Sequence, residues 1–467
     1  MPGSPEFSSL PTEVLRAICV QLQGDHGLGN GDLARLSLTC QRLGDIAQSI
    51  LYQHFHERHD EPGINIDGDD GDEDDDGRLV PFLRTVILRP DLARYVTELC
   101  IDFHGRPCMT EEDFDLFKET ASKHQFELPR EFIIFTDPRI KKHGPLDLEI
   151  DPTTASGIEV VLQLLLLHLP NLQSAEIYIP NSLTTFPHLD IVARQREGGH
   201  SGLASFRRLA ITNYGSGVRL GSMRNLLAFC PNLEILQVSR CRNVVPDLPL
   251  SNLVKLEIDP GDLSFNHLSE LLGSCPKLEA FKYRSEWNPR VRFWGLDLPF
   301  NPREALEALR PFQAQLKILE LDLSERDRFS DREEEKEFIT SLREFSALER
   351  IKLHCSAIFS GGERAQPGSR NGRFAELLPG SVKHLILVQP YPSMYRDLLK
   401  LGKCAASRFP SLGTVEVQWT PKNMPSGFTV SQVADIRWMF KNHGVDLLLD
   451  DPTPGSISSM PRFSIRP

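Results

Sequence analysis

A short apolar pattern, Leu-x-x-Leu-x-Leu with apolar replacements, recurs ten times along the chain and limits what it can fold into. The copies are Val96-Leu99-Ile101, Leu172-Ala175-Ile177, Phe206-Leu209-Ile211, Leu233-Leu236-Val238, Leu253-Leu256-Ile258, Leu278-Phe281-Tyr283, Leu316-Leu319-Leu321, Leu348-Ile351-Leu353, Val382-Leu385-Leu387 and Leu412-Val415-Val417. Pattern alone is weak, because three apolar positions coincide often by chance in a chain that is 40% apolar. Register decides the matter. Counting back ten, seven, six and three residues from Leu172 gives Leu162, Leu165, Leu166 and Leu169, which share one helical face. The same offsets give Met223, Leu226, Leu227 and Cys230 before Leu233, and Leu268, Leu271, Leu272 and Cys275 before Leu278. Proline stands two residues before the anchor at Pro170, Pro231, Pro276 and Pro410, where it stops a helix and turns the chain toward an extended segment. The unit is helix, Pro-x-Leu turn, short strand.

The eight intervals from Leu172 to Leu412 average 30 residues, with single spacings of 20 to 38. Such a period marks a stacked array rather than one compact core, and the motif resembles the leucine-rich repeat. The resemblance implies an α/β horseshoe with parallel strands on its concave side and helices outside. Leu233-x-x-Leu236-x-Val238-x-x-Cys241 carries the longer form with its turn Cys, whereas most copies lack Asn or Cys there, so an irregular, partly broken arc is expected.

If the anchors point inward, the alternating strand residues line the concave face. They form a mixed-charge strip: Glu176 and Tyr178, Arg208 and Thr212, Gln237 and Ser239, Lys255, Glu257 and Asp259, Lys282 and Arg284, Glu320 and Asp322, Arg350, Lys352 and His354, Glu416 and Gln418. A solvated sheet face has the same composition as a binding strip. The longest interval, Leu278 to Leu316, holds Trp287, Arg290, Arg292, Phe293 and Trp294, and Trp and Arg are the types that dominate contact hot spots. Lys282, Arg284, Trp287, Arg290, Trp294, Arg350, Lys352 and His354 are therefore the candidate target contacts.

Residues 10–55 read as three short helices. Pro11 and Glu13 suit a helix start, with Val14, Leu15, Ile18 and Leu22 at helical spacing behind them. Four glycines separate this helix from a second one carrying Leu33 and Leu36 after Asp32. A third places Leu43, Ile46, Ala47, Ile50, Leu51 and Phe55 on one face. A unit this small seldom hides its own apolar surface, so part of it is expected to pack on the rest of the chain or on a separate protein.

The run Leu10-Pro11-Thr12-Glu13-Val14-Leu15, with Ile18, Leu22, Asp32-Leu33, Leu36-Ser37, Thr39-Cys40, Arg42-Leu43 and Ile46-Ala47, resembles an F-box. Its loop at 23–31 is longer than that family's, and Leu43 stands where Trp is frequent there. The resemblance implies docking on a Skp-type adaptor and, through it, membership of an SCF-type cullin-RING ubiquitin ligase as its substrate-recognition subunit. Carried over by position, Leu10, Pro11, Glu13, Val14, Ile18, Leu36, Cys40 and Leu43 form or support the adaptor-facing surface. A scaffold that binds the adaptor outside ubiquitination fits the same residues.

Ten acidic residues and no Lys or Arg fall within 60–76, so of the net charge of −12 only −2 belongs to the rest of the chain. That block self-repels and is expected to be a flexible joint. The near-neutral remainder has no basic stripe, which argues against nucleic-acid and membrane-surface partners. Nine scattered cysteines without a CxxC pair read as reduced thiols, and the start of the chain lacks the regions of a signal peptide, so a cytoplasmic or nuclear setting is expected.

His54, His56 and His59 form H-x-H-x-x-H, but no paired cysteine or acid at ligand spacing accompanies them, so no zinc site is expected. P-loop and nucleophile-elbow spacings are missing. A non-enzyme without cofactor results, organised as a helical trio at 1–58, an acidic flexible linker at 59–78, a degenerate repeat solenoid at 79–420, and a C-terminal cap and loose tail at 421–467. In the last part, 431–443 reads as a helix and 445–449 as a strand that could close the array.

Overall fold

The computed structural model of the chain describes residues 10–23, 30–57, 78–102, 109–124, 128, 152–179, 203–213, 217–285, 301–322, 338–359, 372–391, 394–418 and 429–449. The chain divides into two units, Met1–Leu253 and Val254–Pro467. Both are α/β, and every repeat strand pairs with its neighbours in parallel.

Unit 1 opens with α1 (Thr12–Gln23), α2 (Asn30–Ser37) and α3 (Gln41–Leu51), followed by β1 (His54–Glu57). Next come α4 (Leu79–Leu88), α5 (Pro90–Ala93), β2 (Glu98–Asp102), α6 (Glu111–Lys123), α7 (Pro152–His168), β3 (Ser174–Ile179) and β4 (Arg208–Asn213). A short β5 (Val218–Arg219), α8 (Arg224–Phe229), β6 (Ile235–Val238) and β7 (Cys241–Asn243) complete it. The main ladder runs β1-β2-β3-β4-β6, and β5 pairs with β7.

Unit 2 consists of β8 (Lys255–Gly261), α9 (Phe265–Gly273), β9 (Ala280–Ser285), α10 (Pro302–Leu309), β10 (Ile318–Asp322) and β11 (Arg350–His354). It continues through α11 (Arg373–Leu377), β12 (His384–Val388), α12 (Tyr395–Arg408), β13 (Thr414–Gln418), α13 (Val430–Asn442) and β14 (Asp446–Leu449). Its ladder is β8-β9-β10-β11-β12-β13-β14. The closing helix and strand lie where the sequence places them.

All ten sequence copies are strands, and none of the thirty anchor residues is more than 4% exposed. They also stand side by side: Leu256, Phe281, Leu319, Ile351, Leu385, Val415 and Leu447 form one row across unit 2. The helix positions read from register, from Leu162 to Cys275, are buried as well. Burial of each such Leu contributes about 1.5–3 kcal/mol, so shifting a strand by one residue would forfeit its whole row.

The proline does more than stop a helix. Leu172 N–H donates to Leu169 O at 3.3 Å, Leu233 to Cys230 at 3.1 Å, Leu278 to Cys275 at 3.1 Å and Leu412 to Phe409 at 3.0 Å. Each proline thus holds the second position of a β-turn, where its fixed φ belongs. Leu253 and Phe206 close the same turn without it, on Leu250 O and Leu203 O.

A polar side chain one residue before the anchor then reaches the preceding repeat. Asn171 donates to Arg94 O at 2.8 Å, Asn232 to Ala204 O and Asn252 to Pro231 O at 2.9 Å, and Gln315 to Pro276 O at 2.8 Å. This ladder lies at the entry to the strands. It supplies what the missing turn Asn and Cys residues do not, and strand pairing within each unit is unbroken where a partly broken arc was expected. The longest interval is taken up between β9 and α10, outside the ladder.

One expectation changes. The third helix ends at Leu51, and Phe55 lies in β1, stacked on Phe82 with ring centroids 3.9 Å apart. β1 pairs with β2, so the chain has already entered the sheet before the acidic run begins. Across that run, Leu79 N–H donates to Glu57 Oε1 at 3.0 Å. The described residues on either side of the run, Glu57 and Leu79, are thus hydrogen-bonded neighbours in unit 1. Residues 58–77 themselves lie outside the described residues, as do the C-terminal tail and Trp287, Arg290, Arg292, Phe293 and Trp294. Among the described helices none is long and apolar enough to cross a membrane.

Candidate functional site

The helical trio closes a core of its own. Leu15 and Cys19 of α1, Leu33 of α2, and Leu43, Ile46, Ala47 and Ile50 of α3 form one buried cluster, with Leu10, Leu36 and Leu51 partly buried against it. Outside that core, Pro11, Glu13 and Cys40 are exposed, and Val14, Val20, Leu22 and Leu38 are 43%, 49%, 38% and 86% exposed. Val14, Ile18 and Leu22 follow one another at i, i+4 and i+8 along one edge of α1. Arg42 donates to Thr12 Oγ1 at 3.1 Å, tying the start of α3 to the start of α1. That contact brings the 38–40 turn to the same end of the trio as Pro11 and Val14.

The eight positions carried over from the F-box resemblance therefore separate by depth. Pro11, Glu13, Val14 and Cys40 are presented to solvent, Leu10, Ile18 and Leu36 lie half-buried at the margin, and Leu43, 6% exposed, belongs to the core beneath. Leu38 was not singled out by sequence. An apolar residue in a tight interhelical turn, where nothing requires one, was the available signal.

The second surface is the solvent-facing side of the unit 2 sheet. Lys255 Nζ lies 2.7 Å from Glu257, Lys282 Nζ lies 3.2 Å from Glu257 and 3.5 Å from Glu320, and Arg350 Nε donates to Glu320 at 3.2 Å. Arg350 Nη1 approaches His384 Nδ1 at 3.4 Å, and His384 Nε2 stands 3.5 Å from Glu416 without a hydrogen bond. Gln418 donates to Glu416 at 2.6 Å. One alternating network thus crosses six strands, and Arg284 pairs with Asp259 beside it. Burial works against the charge on Glu257, yet Lys255 and Lys282 hold its carboxyl below the usual range. Asp259 goes the other way, pushed up by burial despite Arg284.

Lys282, Arg284, Arg350 and Lys352 stand on this face as sequence alternation requires, and among the described residues Lys352 forms none of these pairs. His354 does not join them. It is fully buried; its Nδ1 accepts from Ser356 N–H at 3.3 Å and lies 2.5 Å from Ser356 Oγ, and its Nε2 lies 2.9 Å from Gln389 Oε1. It caps the 3-10 turn Cys355–Ala357, because alternation stops where the strand stops.

A third cluster lies at the first strand of unit 1. His54 and His56 share one face of β1, and pairing sets Glu98 directly opposite His54. His54 Nδ1 lies 2.9 Å from Glu98 Oε2, and donor atoms of all three residues fall within 4.8 Å of one another. The sequence expectation of no acid near these histidines is thereby corrected: Glu98 is 44 residues away, and only strand pairing delivers it. His59 lies outside the described residues.

No protein-family model matches this chain, and no curated protein sequence matches it.

Proposed function

We propose that this chain is a non-catalytic substrate receptor: an F-box-like trio holds a Skp-type adaptor of a cullin-RING ubiquitin ligase, and a leucine-rich-repeat array holds the protein to be modified. Its contribution is proximity, with ubiquitin transferred by the associated enzyme. The observation that carries this reading is the trio itself, which fills its own small core and still leaves Pro11, Val14, Leu38 and Cys40 in solvent at one end. Apolar side chains left in solvent at one end of a unit whose own core is filled are what a docking site offers before its partner arrives. Target binding is assigned to the solvent-facing strip of unit 2, where Lys282, Arg284, Arg350 and Lys352 stand among carboxylates.

Co-expression with a Skp-type adaptor tests the first half. A stable complex is expected from the wild-type chain, and Val14→Asp combined with Leu38→Asp should abolish it, since both side chains point into solvent and tolerate charge in the free protein. A wild-type chain that fails to co-purify, or a double variant that co-purifies undiminished, refutes the assignment.

A further inference from the structure

We infer that His54, His56 and Glu98 bind a divalent d-block cation, Zn²⁺ being the best match, across the pairing of β1 with β2. Three facts converge. Alternation along β1 puts both imidazoles on one side, with ring centroids 6.4 Å apart and planes 27° from parallel. Parallel pairing places the Glu98 carboxylate against the first of them at 2.9 Å. His56 and Glu98 are exposed and His54 half-buried, so an ion from solvent can reach the cluster without opening the fold.

Bonds of about 2.1 Å at a tetrahedral centre put donor atoms about 3.4 Å apart. Two of the donors are already closer than that, and rotation of the exposed His56 ring brings in the third. Two nitrogen donors and one oxygen favour Zn²⁺, Ni²⁺ or Cu²⁺ over Mg²⁺ and Ca²⁺, which take oxygen ligands. Three protein ligands leave a fourth position for water or an exogenous group. The ion would pin β1, the strand that follows α3 after only Tyr52 and Gln53, to the sheet next to it.

The experiment is a titration of the chelator-treated full chain with Zn²⁺ alone, in competition with a chromogenic chelator at pH 7.5. The wild-type protein is compared with His56→Ala, Glu98→Gln and a Cys100→Ser control, Cys100 being the buried thiol opposite His56. Loss of an outer-shell partner alone costs on the order of 10–100-fold in metal affinity, so loss of a direct ligand should cost at least about 100-fold. That weakening is expected in His56→Ala and Glu98→Gln and not in Cys100→Ser. Zn²⁺ should raise the melting temperature of the wild type and leave His56→Ala unchanged, and Mg²⁺ should move neither. His56 is exposed, so its variant keeps the test decisive if Glu98→Gln fails to fold. Absence of Zn²⁺ binding in the wild type, or equal affinity in wild type and His56→Ala, overturns the inference.

Discussion

Replacing Leu38 and Val14 together by alanine separates the proposed docking surface from the fold that carries it. Leu→Ala removes three carbons and Val→Ala two. At about 0.8 kcal/mol per buried CH₂, weighted by the exposed fractions that an adaptor would cover, the double variant forfeits about 2.7 kcal/mol of binding. The exposures entering that figure are 86% for Leu38 and 43% for Val14. The loss corresponds to about 100-fold in Kd. Because neither side chain joins the trio's core cluster, stability should change by no more than about 0.5 kcal/mol, a melting shift of about 1–2 °C. Leu43→Ala is the contrast: it empties a core position 6% exposed and should cost about 2–5 kcal/mol of stability, losing binding and fold together. Calorimetric titration with a Skp-type adaptor, paired with thermal melting of each free variant, reads both quantities. A double variant that binds within about threefold of wild type would show that the exposed end of the trio is not where the adaptor sits.

Glu320→Gln should lower the melting temperature of the protein by about 2–4 °C, since the carboxylate serves both Lys282 and Arg350 but those partners are part-exposed and the loss is about 1 kcal/mol. High salt should shrink the difference, and a shift insensitive to salt would contradict an electrostatic origin. Leu319→Ala, at a fully buried position in the central row of unit 2, should cost about 2–5 kcal/mol in denaturant unfolding, several times any substitution on the solvent-facing side. Asp113 is buried, which alone would raise its pKa, yet hydrogen bonds from Arg84 and Thr110 hold it below the ordinary value. Its contribution is complete above about pH 3.9 and is lost as pH falls through the depressed folded value. Asp113→Asn should therefore destabilise at neutral pH and flatten the acid limb of the stability curve; an unchanged acid limb would assign that limb to other carboxylates.

The ten repeat strands were legible because each carries three apolar residues at offsets that only one side of a strand can satisfy, with a turn in front. β1 was not. Its sequence, His-Phe-His-Glu, has one apolar residue, and Phe55 continues the stripe of the third helix at i+4 from Leu51, so helical periodicity absorbed it. Its strand identity comes from β2, and with it comes Glu98. The entry ladder of Asn171, Asn232, Asn252 and Gln315 escaped for a related reason: the accepting groups are backbone carbonyls of the preceding repeat, which no side-chain pattern advertises. His354 failed in the opposite direction. Parity assigned it to the strip expected on the concave face, but parity holds only inside a strand, and β11 ends there.

On the proposed reading, the ladder constrains how a target can bind. Lys255, Lys282, Arg284 and Arg350 each already face a carboxylate, so a new ion pair with a target is an exchange, and exposed pairs are worth only about 0–1 kcal/mol to begin with. The strip carries five cations, Lys255, Lys282, Arg284, Arg350 and Lys352, against five carboxylates, Glu257, Asp259, Glu320, Asp322 and Glu416, so it exerts little net pull at long range. Its charges then act chiefly by exclusion: a target charge placed out of register meets a like charge that its neighbours hold in position, at a cost of several kcal/mol. Affinity has to come from elsewhere, from apolar contacts beside the strip. Lys352 and the half-exposed Leu448 stand in one row of the ladder, three strands apart and so about 14 Å from each other. A target that offers a carboxylate and an apolar side chain at that separation meets both without breaking any pair of the network.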